Sequence, residues 1–185
     1  MKTIAVYLAT GFEEIEAITV IDVLRRAGLN VIVTSVTDDY QVVGAHQIPV
    51  KADKLFAEVD DQSVDMIVLP GGLPGAENLD RHEGLRSQLK NFDRAGKPIG
   101  AICAAPMVLG HLGLLEGKKA VCYPGFEKEL QGAKVGSSST VIDGKIVTGR
   151  GVGAALNFSL ELVHILEGKE KADKLAQGMI VETWK

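Results

Sequence analysis

A cysteine at the corner between a strand and a helix is the residue in this chain best placed to do chemistry. Pro98 to Ile102 is short, apolar and preceded by Gly96-Lys97, which reads as a buried strand. From Ala104 onward the sequence reads as a helix, with Pro106 in a first turn where its missing N–H costs nothing. Cys103 stands between them. First-turn N–H groups and the positive end of a helix dipole favour an anion there, so the thiol is expected to have a lowered pKa and to act as a nucleophile. A cysteine packed inertly under a turn would show the same local sequence.

Attack on a carbonyl develops charge on oxygen, and Gly71-Gly72, following the apolar run Val64 to Leu69, would offer bare backbone N–H groups to hold it. A tight turn needing positive φ explains the same pair. Glu16 is the third candidate. At 100° per residue, Ala17, Val20, Val23, Leu24 and Ala27 form the inward face of a first helix, and Glu16 falls in that sector. Glu14, Asp22, Arg25 and Arg26 lie opposite. An inward carboxylate is costly unless paired or protonated, so beside an anionic Cys103 it would become a proton donor to sulfur. A helix-start acid favoured by the dipole is the alternative. Ile15 and Ile18 share the polar face, and two such neighbours suggest a partner surface.

The elements that must position these residues alternate. Strands are expected at Thr3 to Ala9, Leu29 to Val36, Val64 to Leu69 and Pro98 to Ile102, the first buried on both faces because it lacks clean alternation. Helices are expected at Glu13 to Ala27, closed by Gly28, at Asn78 to Ala95 and after Ala104. A short hairpin of Gln41 to Val43 and Gln47 to Val50 would turn around Gly44-Ala45-His46. Beyond Gly117 come a strand (Lys119 to Tyr123), a short helix near Glu127 to Leu130, and a hairpin of Ser139 to Ile142 and Lys145 to Thr148 around Asp143-Gly144. Helices at Gly153 to Leu166 and Lys169 to Gly178 close the chain. This pattern predicts a doubly wound α/β domain with a mostly parallel sheet and helices on both faces. In such sheets ligands bind beyond the strand carboxyl ends, where Thr10-Gly11-Phe12-Glu13, Pro70-Gly71-Gly72 and Ile102-Cys103-Ala104 would converge.

Composition sets the bounds. The 185 residues, 46% hydrophobic and 24% charged, fit a single domain over 1–185 that needs no staples. A net charge of -4 argues against a nucleic-acid surface. Two cysteines make no disulfide framework, and the run Ile4 to Ala9 leads straight into Glu13-Glu14 rather than forming a signal peptide or a membrane span, so a cytoplasmic protein is expected. No metal-ligand spacing is present. Gly149-Arg150-Gly151-Val152-Gly153 lacks a dinucleotide fingerprint, and no cofactor is expected. Cys122, in Val-Cys-Tyr, reads as inert, His111 as too far along its helix to reach Cys103, and His82 and His164 as solvated or packed.

Four ordered stretches now carry a resemblance: Glu13-Glu14-Ile15-Glu16 leading to Asp22 to Gly28; Val68 to Gly72 with Gly75-Ala76-Glu77-Asn78-Leu79; Ala101 to Pro106; and Thr148 to Gly153. Together they resemble the ThiJ/PfpI superfamily, in the branch of the parkinsonism-associated protein deglycase, over nearly the whole chain. The resemblance implies a flavodoxin-like fold, a homodimer, Cys103 as a nucleophile-elbow cysteine, Glu16 as its protonated partner, and Gly72 and Ala104 N–H groups facing the reacting atom. His46, Tyr123 and Arg150 become candidates to line the site, and Arg26, with Ile15 and Ile18, to face a second subunit. Ala104 stands where protease relatives carry a histidine, which weakens the protease reading, and Tyr123-Pro124 replaces the branch's His-Pro. Two functions are implied. One is a cofactor-free enzyme acting on small aldehydes or glycated substrates, converting methylglyoxal to lactate. The other is a redox sensor or chaperone-like binding protein using oxidation of the same cysteine; a thiamine-pathway role has no visible pocket.

Overall fold

The central strand shows why this chain builds a buried parallel sheet. Every residue of Ile4–Leu8 is fully buried, with no polar alternation along the run, so helices must cover both of its faces. The structure, a computed structural model describing residues 1–184, has β1 (Thr3–Leu8), α1 (Glu14–Arg26) and β2 (Asn30–Ser35), then β3 (Gln41–Val43) paired with β4 (Pro49–Lys51), and β5 (Lys54–Leu55). Next come β6 (Met66–Leu69), α2 (Gly75–Arg81), α3 (Glu83–Arg94), β7 (Ile99–Ile102) and α4 (Pro106–His111). The chain ends with β8 (Lys119–Ala120), β9 (Lys134–Val135), β10 (Thr140–Asp143), β11 (Ile146–Gly149), α5 (Ala155–Glu167) and α6 (Lys169–Gly178).

The main sheet has the order β10-β11-β7-β6-β1-β2-β5 and is parallel except for β10 against β11. On one face Ile4, Val6 and Leu8 pack with Met66 and Val68 against Ala17, Val20 and Leu24 of α1 and Phe158 and Leu162 of α5. On the other, Ala5, Tyr7, Ile67 and Leu69 meet Leu79, Leu85, Leu89 and Val108 from α2, α3 and α4. This is the doubly wound, flavodoxin-like α/β fold. The chain reverses its direction of strand addition at β1, with β2 on one side and β6 on the other.

Three expectations are corrected. The helix over Asn78 to Ala95 is two helices, broken at His82, whose backbone (φ -77, ψ 100) is extended and whose Nδ1 caps α3 by accepting from Leu85 N at 3.0 Å. The strand over Lys119 to Tyr123 stops at Ala120, because its partner β9 is only two residues long and Cys122 lies beyond it. The helix after Cys103 begins at Pro106 and lasts six residues.

Candidate active site

The reversal at β1 brings three strand ends side by side. Glu13 N donates to Gly71 O at 2.9 Å, and Gly71 N donates to Glu16 Oε2 at 2.9 Å. The loops after β1 and β6 are thereby tied together, and the side chain of α1's first turn reaches under the second loop. Glu16 arrives there because Glu13 caps α1, accepting from Glu16 N at 3.0 Å. The third corner is Cys103. Its φ of 65° places a non-glycine residue in the left-handed region, a strained conformation that turns the side chain off the end of β7 toward the other two loops. Its N–H donates to Gly149 O at 2.9 Å, and its carbonyl accepts from Tyr123 N at 2.8 Å, so the corner is held from both sides.

Gly71 is what lets carboxyl and thiol meet. A Cβ there would stand 2.6 Å from Cys103 Cβ and 2.8 Å from Glu16 Oε2. Gly72 has a different reason: its φ is 87°, and a Cβ would point into the backbone of Gly11 to Glu13, 2.3 Å from Glu13 N, rather than into the crevice. The N–H groups of Gly72 and Ala104 favour a charged Cys103 sulfur, and both residues line the space in front of it. Sγ opens on a cavity of about 200 Å³ lined by Gly72, Leu73, Cys103, Ala104, Tyr123 and Phe126.

Electrostatics in this corner are governed by burial. Glu16 is fully buried. Burial raises its pKa to about 7, against the bonds from Gly71 N–H and the Cys103 thiol, with Glu13 charge adding to the rise. Oε1 has no nitrogen or oxygen partner among the described residues. Cys103 is pushed up to about 12, first by burial and then by the Glu16 charge, although the Ala104 and Gly72 N–H groups pull it down. The expected lowering of the thiol pKa is therefore corrected: α4 is too short and the site too dry for helix-end charge to outweigh desolvation. Both groups are pushed toward their neutral forms, and a charge on Glu16 opposes ionisation of the sulfur beside it.

The other sequence candidates fall as follows. Tyr123 lines the cavity and Arg150 sits in a neighbouring cleft that shares Tyr123. His46 does not line the cavity. It is exposed on the β3–β4 turn, with Nδ1 2.8 Å from Glu14 Oε2 and its N–H on Glu14 Oε1; the bond to Glu14 raises its pKa. Glu14 is buried rather than on a solvated face, because that hairpin covers it. Sequence spacing gave no hint that Glu13, Glu14 and His46 would gather, with ligand-capable atoms all within 4.8 Å. Internal partners already occupy both Glu14 oxygens. His111, distant from Cys103 as expected, bridges Asp80 at 2.9 Å and Glu129 at 2.8 Å; His164 lies 3.3 Å from Glu161. Cys122 is buried and its thiol is raised to about 11 by burial. Ile15 and Ile18 are exposed at 56% and 45%, and Arg26 pairs with Asp22 on the same helix at 2.6 Å. No helix among the described residues is long and apolar enough to cross a membrane.

Fold and corner together define a class: a doubly wound α/β protein with a cysteine on a strained strand-to-helix turn against a buried carboxyl. Residues 2–165 match the DJ-1/PfpI family, and the chain belongs to it. Protein DJ-1 homolog B of Arabidopsis thaliana is 44% identical over 182 residues, covering 97% of this chain but 42% of that protein, so the chain spans less than half its length. Glutathione-independent glyoxalase DJR-1.2 of Caenorhabditis elegans is 36% identical over 170 residues, covering 90% of this chain and 89% of that protein. The solved structure of oxidized Toxoplasma gondii DJ-1 superposes with a TM-score of 0.93 at 41% identity, covering 97% and 98% of the two chains.

Proposed function

We propose that this chain is a cysteine-dependent enzyme of small reactive carbonyls, of the glyoxalase or deglycase kind, converting methylglyoxal to lactate without a cofactor. One observation carries the reading: Cys103, at positive φ, presents sulfur to the Gly72 and Ala104 N–H groups with the buried Glu16 carboxyl beside it. The family membership and the glyoxalase name of the nematode relative support it.

The chemistry balances within the site. Sulfur adds to the aldehyde carbon, the carbonyl π pair moves to oxygen, and the pair's proton neutralises the alkoxide to give a hemithioacetal. The Gly72 and Ala104 N–H groups are the donors available where that charge develops. The C1 hydrogen then leaves as a proton to Glu16 carboxylate and returns at C2 through an enediol, oxidising C1 and reducing C2. The lactoyl thioester is cleaved by water, releasing lactate and restoring the thiol. A carboxyl with a pKa of about 7 is matched to giving and taking protons at neutral pH. The test is lactate formation from methylglyoxal by wild type and Cys103→Ser, in buffer free of Tris and added thiol, which consume the substrate themselves. Cys103→Ser is expected to abolish it; wild-type turnover by that variant would overturn the reading.

A second reading, a peroxide sensor in which the Cys103 thiolate is oxidised to sulfinate, rests on the same sulfur and on the oxidized state of the Toxoplasma structure. It takes over if wild type turns over no methylglyoxal while Cys103 still oxidises selectively. In either reading we propose a homodimer formed through α1, because Ile15, Ile18 and the nearby Ile48, itself 56% exposed, leave apolar surface uncovered beside the site.

A further inference from the structure

The cavity above Cys103, at about 200 Å³, has room for a small carbonyl at the sulfur. On the far side of Tyr123 lies a second cleft of about 540 Å³, walled by Tyr123, Pro124, Ser139, Arg150, Val152 and Ala154. The two share Tyr123, which is half exposed and tied through its N–H to the Cys103 carbonyl. Gly151 keeps the cleft open under that ring, since a Cβ there would stand 3.3 Å from Tyr123 Cδ2.

Arg150 gives the cleft its chemistry. It follows directly on Gly149, whose carbonyl accepts from Cys103 N–H and which pairs with Ile102 in the β7–β11 register. Its backbone is therefore about one strand spacing from the reactive corner. Arg25, Arg26, Arg81 and Arg86 each pair with a carboxylate. Arg150 has no carboxylate within ion-pair distance among the described residues; one nitrogen, Nη1, donates to Ser137 O at 3.1 Å, and the cleft contains no acid. A guanidinium with unspent donors beside an otherwise neutral wall selects an organic anion.

We propose that this cleft is a substrate subsite: it seats the remainder of an extended carbonyl adduct whose reacting carbon reaches Cys103, with Arg150 binding a carboxylate on that remainder. The ligand is a monocarboxylate such as an amino-acid-derived adduct, because one cation balances one charge, whereas a phosphate dianion would call for a second. The inference rests on Cys103 as the nucleophile of the proposed function but is testable without turnover.

The experiment compares two probes that share a reacting ring, N-ethylmaleimide and 3-maleimidopropionate, by the rate at which each modifies Cys103, read by peptide mass spectrometry. Arg150→Gln is expected to lower the acid-to-neutral rate ratio about fivefold, the scale of a partly exposed ion pair, and Arg150→Lys to keep most of it. Propionate should slow the acid probe more than equimolar inorganic phosphate. An unchanged ratio in Arg150→Gln, or equal slowing of both probes, overturns the subsite; stronger competition by phosphate overturns the carboxylate assignment. Because the probes need no catalysis, absence of methylglyoxal turnover would sink the proposed function while leaving this result readable.

Discussion

Glu16→Gln should make the protein more stable and less active, and the pH at which the stability appears identifies the cause. In the folded chain the Glu16 carboxyl has a pKa raised to about 7 from the usual 4.5, chiefly by burial. Below pH 4.5 the group is neutral folded or unfolded and contributes no difference. Between 4.5 and 7 the unfolded chain ionises while the folded chain holds its proton, so wild-type stability falls as pH rises. Above 7 the loss is complete. At about 1.4 kcal/mol per pH unit it amounts to about 3 kcal/mol. Glutamine keeps an oxygen for Gly71 N–H and never ionises, so it escapes this loss. Its amide N–H₂, placed at the unpartnered Oε1 position, can cost about 1–3 kcal/mol if sulfur does not accept from it, but that cost is the same at every pH. The readout is therefore the difference between wild type and Glu16→Gln in urea unfolding, measured at pH 5 and pH 8. It should widen by about 2.5 kcal/mol, since part of the loss is already present at pH 5, on the order of 1 M in midpoint. It should persist in a Cys103→Ala background, because burial is the first cause of the shift. A gap that stays constant across that range would refute a neutral, buried Glu16. Methylglyoxal turnover in the same variant should fall by about 10²-fold or more, since no other carboxyl among the described residues lines the space at the sulfur to carry the proton.

Alkylation by limiting iodoacetamide should modify Cys103, which opens on a cavity, before Cys122, at a rate that keeps rising above pH 9 because burial and the Glu16 charge hold the thiol neutral. Cys122, raised to about 11 by burial, should only climb with pH; equal labelling, checked by peptide mass spectrometry, would remove the case for the site. In Glu16→Gln the Cys103 inflection should fall yet stay above the ordinary thiol value of 9, seen in thiolate absorbance, because the Glu16 charge that raises it is gone and burial remains. Gly71→Ala should cut turnover while costing about 1–3 kcal/mol in urea, since its Cβ would press on Cys103 Cβ and Glu16 Oε2. Ile18→Glu should shift the mass in solution toward monomer; a wild type already monomeric at micromolar concentration would rule out the α1 interface.

The core strands were legible because they are continuous apolar runs, and the fold follows once runs of that kind alternate with helical ones. The misses share one physical origin: they are set by neighbours distant in sequence. The Asn78 to Ala95 pattern reads as one helix because Leu79, Leu85, Leu89 and Phe92 all face the same core layer. The break at His82 becomes visible only with Phe56, whose ring lies 4.4 Å from the imidazole and leaves no room for a side chain at Gly84. β5, β8 and β9 are two residues each, shorter than any periodicity can show.

At the candidate site, sequence places the groups in the fold but not the sign of their electrostatics. Helical spacing put Glu16 inward, and the Pro106 position put Cys103 on a corner; both hold. A lowered thiol pKa, though, was argued from a helix end alone, and that term is local whereas desolvation is not. Nothing in Ala101 to Pro106 reports that Tyr123 and Gly149 bond to the corner or that the Glu16 charge raises the thiol. The thiol and Glu14, which lies on the polar side of its helix, differ from their local sequence for the same reason: each group is buried by a loop far away in the chain. The consequence is a neutral thiol beside a carboxyl raised to about 7, instead of an isolated thiolate. In the enzyme proposed above, Glu16 rather than the helix terminus then controls the sulfur, which would account for keeping in the core a residue that lowers stability near neutral pH.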